Sequence, residues 1–292
     1  MSKDFFAHVA GQPEATESLS RMLASGRLPA AMILAGPEGV GKRTCAVALA
    51  AALLEVPRER VSESPRFLLL ERGSSAGVGM DLIRERLLPF FALRLRAGRW
   101  RVVVVDGAET LGREAANALL KTLEEPPPYC LMMLLTTRPD AMLPTIRSRC
   151  HAVHFRPLSA ETVAELLEGM DYEAEEARRA AAVSGGSVSV ARWLLDSDML
   201  DEVVELRDGL ITAARVGGGA AEAVARVLQS MGRRDKMLRL LDVLVGAMRA
   251  AETADPALAR ALDALVTMAE AVAGNQNVYV AAASILDFGD SS

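Results

Sequence analysis

The chain is poor in aromatic residues and in cysteine, and it carries no excess of positive charge. Phe, Trp and Tyr make up 4% of its 292 residues, while apolar residues reach 51%. Its cores must therefore be built from Leu, Val, Ala and Met. The three cysteines, Cys45, Cys130 and Cys150, are odd in number, scattered, and form no C-x-x-C pair. That pattern excludes a disulfide scaffold and suits a reduced, cytoplasmic setting. No run of roughly 18 or more uncharged apolar residues occurs and the N-terminus has no signal-peptide pattern, so a soluble chain with no membrane partner is expected. With 33 Lys and Arg against 38 Asp and Glu, the net charge is -5. Such a chain is not a basic coat for nucleic acid, and any contact of that kind needs a local patch.

What is present is a loop pattern, Gly36-Pro37-Glu38-Gly39-Val40-Gly41-Lys42-Arg43. It matches a phosphate-binding P-loop at every fixed position but the last, where Arg43 replaces Ser or Thr. Gly36, Gly39 and Gly41 let backbone N–H groups curl around phosphates, and Lys42 reaches the terminal ones. The missing hydroxyl is the usual Mg²⁺ ligand of this loop. Thr44 does not restore it, since one residue turns a helical side chain by about 100°. Apolar residues 31–35 before the loop read as a buried strand, and residues 44–54 after it as a helix, which is the required setting.

Residues 1–157 alternate short apolar runs with helical segments. Strands are predicted at Met32–Ala35, Phe67–Leu70, Val102–Val105 and Leu131–Leu135, with a further one at Val153–Phe155. Helices are predicted at Pro13–Ala24, Thr44–Leu54, Met80–Leu88 and Arg113–Leu123. This is the pattern of an α/β fold with a parallel sheet and flanking helices. After Pro157 no strand is expected. Ser159 caps a first helix, a second covers Glu173–Val183 before Gly185-Gly186, and a third runs from Ser187 to Leu195. Longer helices follow, broken at Gly217-Gly218-Gly219, Gly232 and Asp255-Pro256. Leu238, Leu241, Leu244, Val245 and Met248 recur at helical spacing. They suit a self-packed bundle or an oligomerisation surface.

The run Val102-Val103-Val104-Val105-Asp106 ends a strand in an acid. A carboxylate there, beside a P-loop, holds Mg²⁺ or its water. Gly107 follows where active ATPases of this class place Glu, and Glu109 sits two residues further on. Together with Arg43, this argues against hydrolysis, while phosphate binding by the glycines and Lys42 survives.

Three further strings carry a family likeness. Asn117-Ala118-Leu119-Leu120-Lys121-Thr122-Leu123-Glu124-Glu125-Pro126-Pro127 resembles the segment after the acidic strand in clamp-loader subunits of the AAA+ class. Ser148-Arg149-Cys150 resembles their "SRC" motif, and Gly11-Gln12 with Leu23-Ala24-Ser25-Gly26-Arg27 resembles their N-terminal segment. Asn275-Gln276-Asn277 is similar, more weakly, to the end of the collar. The resemblance implies a RecA-like AAA+ domain at 1–157, a three-helix lid at 158–198 and a helical collar at 199–292. Within the family the two losses fit the non-hydrolysing delta-prime type. An active gamma/tau type, for which Thr at 43 and Glu at 107 would be expected, stays open, as does a nucleotide-sensing adaptor outside replication.

The resemblance implies further roles. Arg149 would be an arginine finger acting on a neighbour's ATP site, the alternative being an ion pair with a local carboxylate. Thr136 and Thr137 would stand where the family keeps a polar phosphate sensor, the alternative being ordinary buried threonines at a strand end. The position of the family's lid sensor arginine falls at Ser189, with Arg192 one turn later, so that arginine is expected to be absent, a third mark against catalysis. ATP or ADP would be bound without efficient hydrolysis, and the lost hydroxyl weakens the case for Mg²⁺. Partners would be gamma/tau and delta subunits, a sliding clamp and primer–template DNA. Arg84, from an Arg-rich stretch at 84–101, is a candidate phosphate contact or part of a solvated face. The family's four-Cys zinc module has no counterpart between Cys45 and Cys130, and Cys150-His151-x-x-His154 shows no fourth ligand, so no zinc is expected.

Overall fold

The computed structural model describes residues 5–71, 80–92, 98–216, 234–251 and 256–273. Gly217-Gly218-Gly219, Gly232, Asn275-Gln276-Asn277, Arg94 and Arg96 lie outside them. The chain divides into two compact units, Met1–Pro157 and Leu158–Ser292.

In the first unit the order is α1 (Pro13–Ser25), β1 (Ala31–Ala35), α2 (Lys42–Leu54), β2 (Phe67–Leu70), α3 (Met80–Leu82), a π-helical turn at Ile83–Leu87 and α4 (Leu88–Ala92). It continues with β3 (Arg101–Asp106), α5 (Arg113–Glu124), β4 (Cys130–Thr136), α6 (Pro144–Arg147) and β5 (His151–His154). The five strands form one sheet in the order β2-β3-β4-β1-β5, and every pairing is parallel. Alternate residues feed opposite faces. Met32, Leu34, Val102, Val104, Leu131 and Met133 join one core. Ile33, Val103, Val105, Met132 and Leu134 join the other. Burial on both faces is why these strands read as unbroken apolar runs.

Two expectations shift. The last strand is His151–His154, because the ladder pairs Met32 with His151 and Ala35 with His154. Phe155 still donates its N–H to the Ala35 carbonyl at 2.7 Å. The helix expected at Met80–Leu88 instead continues through a π turn into α4. Pro89 has no N–H for the Glu85 carbonyl and its ring crowds that oxygen, and a π turn relieves both problems. The same turn buries Ile83 and Leu87.

Gln12 ties this unit together. Its buried amide donates to the carbonyls of Val40 (3.2 Å) and Arg156 (2.7 Å) and accepts from the Arg156 N–H at 3.0 Å. It thereby joins the segment before α1, the P-loop and the chain leaving β5. Gln12→Ala leaves three backbone groups without these partners and should cost roughly 2–3 kcal/mol. Urea denaturation of the full chain measures it, and an unchanged midpoint would rule the clamp out.

The second unit is helical: α7 (Ala160–Glu168), α8 (Ala174–Val183), α9 (Val188–Asp196), α10 (Leu200–Val216) and two further helices, Arg234–Ala251 and Pro256–Ala273. Ser159, Glu173 and Ser187 cap the first three, each accepting from first-turn N–H groups. One apolar core runs through all of them, from Val163 and Leu194 to Leu244 and Met268. Leu241, Leu244 and Met248 are buried in it, with Leu238 and Val245 packed alongside. No helix among the described residues is long and apolar enough to cross a membrane.

Candidate functional site

A parallel sheet gathers its strand ends along one carboxyl edge, where α/β proteins bind ligands. Here β1 ends into Gly36, β2 into Glu71, β3 in Asp106 and β4 in Thr136 followed by Thr137. The register sets Ala35 beside Thr136 and Asp106 beside Leu135, so these residues meet by topology.

Gly36 passes so close to β5 that an added Cβ would lie 2.4 Å from the Phe155 carbonyl oxygen. Gly39 and Gly41 have φ of 69° and 96°, a region that side chains disfavour. Gly41 is the N-cap of α2 and contributes no side chain to it. The first N–H groups of the helix therefore lack intrahelical acceptors and face the loop, which makes an anion cradle. Lys42 is only 8% exposed. Its ammonium donates to the loop carbonyls of Gly36, at 2.7 Å, and Pro37. Burial pulls its pKa down, against the opposing fields of Asp106, Glu109 and Glu38. Thr44 is half-buried in the same first turn.

Arg43 reaches across the edge. Its Nη1 forms an ion pair with Glu71 and lies 3.7 Å from Asp106 Oδ2. Burial raises the Asp106 pKa, and the Arg43 and Lys42 cations oppose that rise. The residues present do not fit a magnesium ion. The hydroxyl ligand is lost, and a fixed cation stands on the remaining acid. A divalent ion on that acid would face the like charge of the guanidinium at close range. Sequence reasoning missed Glu71, although an acid directly after the Phe67–Leu70 run is the same signal that marked Asp106.

Glu109 also belongs to this edge. Its carboxylate accepts from Thr137 Oγ1 at 2.7 Å. Burial works to raise its pKa, but hydrogen bonds from Thr137 and Thr136 outweigh burial and hold it below the usual value. The two threonines are thus oriented by a carboxylate on the turn after β3.

Arg149 lies elsewhere. It follows α6 and precedes β5, at the amino edge of the sheet, whereas the P-loop leaves β1 at the carboxyl edge. Its Nη2 pairs with Glu124 Oε1 at 2.8 Å, and its Nη1 donates to the Thr145 carbonyl at 3.0 Å. The local carboxylate weighed as its alternative partner is therefore present. The pair is open to solvent, with side-chain exposures of 38% and 52%. Glu124 ends α5, so the 117–127 string and the Ser148-Arg149-Cys150 motif meet at this contact.

The Arg-rich stretch is not a single patch. Arg101 is buried and donates to the carbonyls of Phe90 (3.0 Å) and Phe91 (2.9 Å). Arg99 pairs with Glu55 at 3.6 Å. Arg84 stays exposed in the π turn. In the second unit Arg192 lies 3.8 Å from Asp196 on its own helix. Among the described residues no cluster of three or more His, Cys, Asp and Glu is placed to hold a metal ion. Burial pushes Cys45 and Cys130 up to about 12 and Cys150 to about 11, so all three stay protonated at neutral pH.

A family model described as DNA polymerase III, delta subunit matches residues 11–159, half of the chain. DNA polymerase III subunit gamma/tau of Mycobacterium bovis is 36% identical over 176 residues, which is 56% of this chain and 30% of that protein. DNA polymerase III subunit tau of Escherichia coli is 31% identical over 224 residues, 72% of this chain and 35% of that protein. The chain thus spans about a third of the length of these two relatives. A crystal structure of a gamma subunit-related protein from Thermotoga maritima has a TM-score of 0.51 at 18% identity, covering 92% of this chain and 97% of that one. That likeness shows a shared fold. The matched residues open at Gly11, ahead of the P-loop, and close past Arg149, and on that match the chain belongs to the DNA polymerase III delta-subunit family, among the AAA+ clamp-loader proteins.

Proposed function

We propose that this chain is a delta-prime-type subunit of a bacterial replicative clamp loader. It helps load a sliding clamp onto primed DNA together with gamma/tau and delta subunits. It holds ATP or ADP at residues 36–44 without turning it over, and it supplies Arg149 to the ATP site of a neighbouring subunit. Residues 158–198 serve as its lid and 199–292 as its collar. The observation that carries this reading is the Arg43 guanidinium beside Asp106. A hydrolytic site needs that acid for its metal. Gly107 adds to the case, since the position directly after Asp106 in the chain, where active ATPases of this class place Glu, carries no carboxylate. The placement of Arg149 at the amino edge supports action on another subunit rather than on this chain's own loop.

The gamma/tau names of the relatives favour a second reading, an active ATPase subunit. ATP turnover by the isolated chain separates the two, with Lys42→Ala as control. Brisk magnesium-dependent turnover would sink the delta-prime reading. The function itself is tested by mixing the chain with gamma/tau and delta partners and measuring clamp loading on primed DNA with and without it. Equal loading in its absence would leave an adaptor role outside replication as the better account.

A further inference from the structure

We propose that the Arg43 guanidinium takes the place of the divalent cation at this P-loop, so that the chain binds the polyphosphate of a nucleoside di- or triphosphate without metal. The proposal rests on the reading of residues 36–44 as a nucleotide site and adds how that site works. In a P-loop the metal sits between the loop hydroxyl and the strand-end acid and bridges two phosphates. Magnesium needs oxygen ligands in near-ideal octahedral geometry. This chain offers a guanidinium at the hydroxyl position, with its Nη1 paired to Glu71 and 3.7 Å from Asp106 Oδ2.

The same geometry suits phosphate. A guanidinium carries five donors in a planar fork that matches phosphate oxygens. Arg43 is half-exposed, and it is its Nη1 that engages the two acids, which leaves the other donors of the fork for a phosphate. Lys42 and the start of α2 lie beside it. Together they bring guanidinium and ammonium donors and a helix N-terminus to the polyphosphate, with the Glu71 and Asp106 charges offset by Arg43.

Magnesium then competes with the site for the nucleotide, since it converts the free anion into its metal complex. The test is calorimetric titration of the full chain with ADP, in EDTA and in millimolar Mg²⁺. The parent chain should bind ADP at least as tightly in EDTA. Arg43→Thr, which restores the hydroxyl and frees Asp106, should invert this and bind about tenfold tighter with Mg²⁺ than without. Adding Asp106→Asn to that variant should abolish the gain. Tighter binding by the parent in Mg²⁺ overturns the proposal. So does an absence of ADP binding in both buffers, or an Arg43→Thr chain that gains nothing from the metal. Clamp loading and neighbour ATPase are read on the assembled complex, so failure here leaves the role of Arg149 to stand or fall separately.

Discussion

Arg149→Ala should reduce ATP hydrolysis at the neighbouring subunit's site on the order of 10³-fold, the scale on which an arginine finger acts. The chain itself should stay folded. Arg149 is partly exposed and its pair with Glu124 is open to water, and an exposed pair of this kind is worth at most about 1 kcal/mol. The contact also positions the fork at the amino edge, with Thr145 as second partner. Two companion variants separate charge from geometry. Arg149→Lys keeps the charge and loses the planar fork, so most of the rate should still be lost. Glu124→Gln keeps the fork and removes only its tether, so hydrolysis should largely persist. A single-turnover measurement on the reconstituted complex reads this as loss of one site's amplitude. Unchanged hydrolysis by Arg149→Ala would remove the finger.

The second large effect falls on stability. Gly36→Ala would put a methyl 2.4 Å from the Phe155 carbonyl oxygen and 2.8 Å from its Cβ. Neither neighbour yields easily. Phe155 is buried and its N–H is bonded to the Ala35 carbonyl, while Gly36 N–H donates to Thr136 O at 3.2 Å. Overpacking of this kind should cost about 3 kcal/mol. For a unit of this size that lowers Tm by roughly 6–12 °C. Gly41→Ala makes an informative contrast. Its Cβ would meet only Val9 Cγ1 at 3.8 Å, so the penalty is conformational, about 1 kcal/mol for the left-handed backbone. Thermal melts of both variants should rank Gly36→Ala well below Gly41→Ala. The reverse order would show that the β5 contact gives way.

Local signals in the sequence located most of the fold. Apolar runs bounded by Gly, Pro and charges marked the strands, because strands buried on both faces leave no room for polar residues. Ser159 marked a helix start, because a cap is a contact within three residues; Glu173 and Ser187, expected as first helical residues, prove to be caps one residue ahead of their helices. The π turn before Pro89 was not visible, since a helix-period pattern does not distinguish α from π winding.

The sequence by itself determined that a phosphate loop lies between a strand and a helix, that its hydroxyl is replaced by a guanidinium, and that an acid ends a later strand. What that guanidinium does was decided only by tertiary structure. Its partner Glu71 is 28 residues away, and parallel register brings the ends of β2 and β3 to the same edge as α2. Arg149 and Glu124 are likewise joined only because α5 ends where β5 begins. The fate of the Arg-rich stretch turned on the same distinction. Composition makes Arg84 and Arg101 alike, and only packing sends one to solvent and the other to the buried carbonyls of Phe90 and Phe91. Periodicity and punctuation act over a few residues along the chain, whereas a charged side chain takes its meaning from neighbours that folding brings to it.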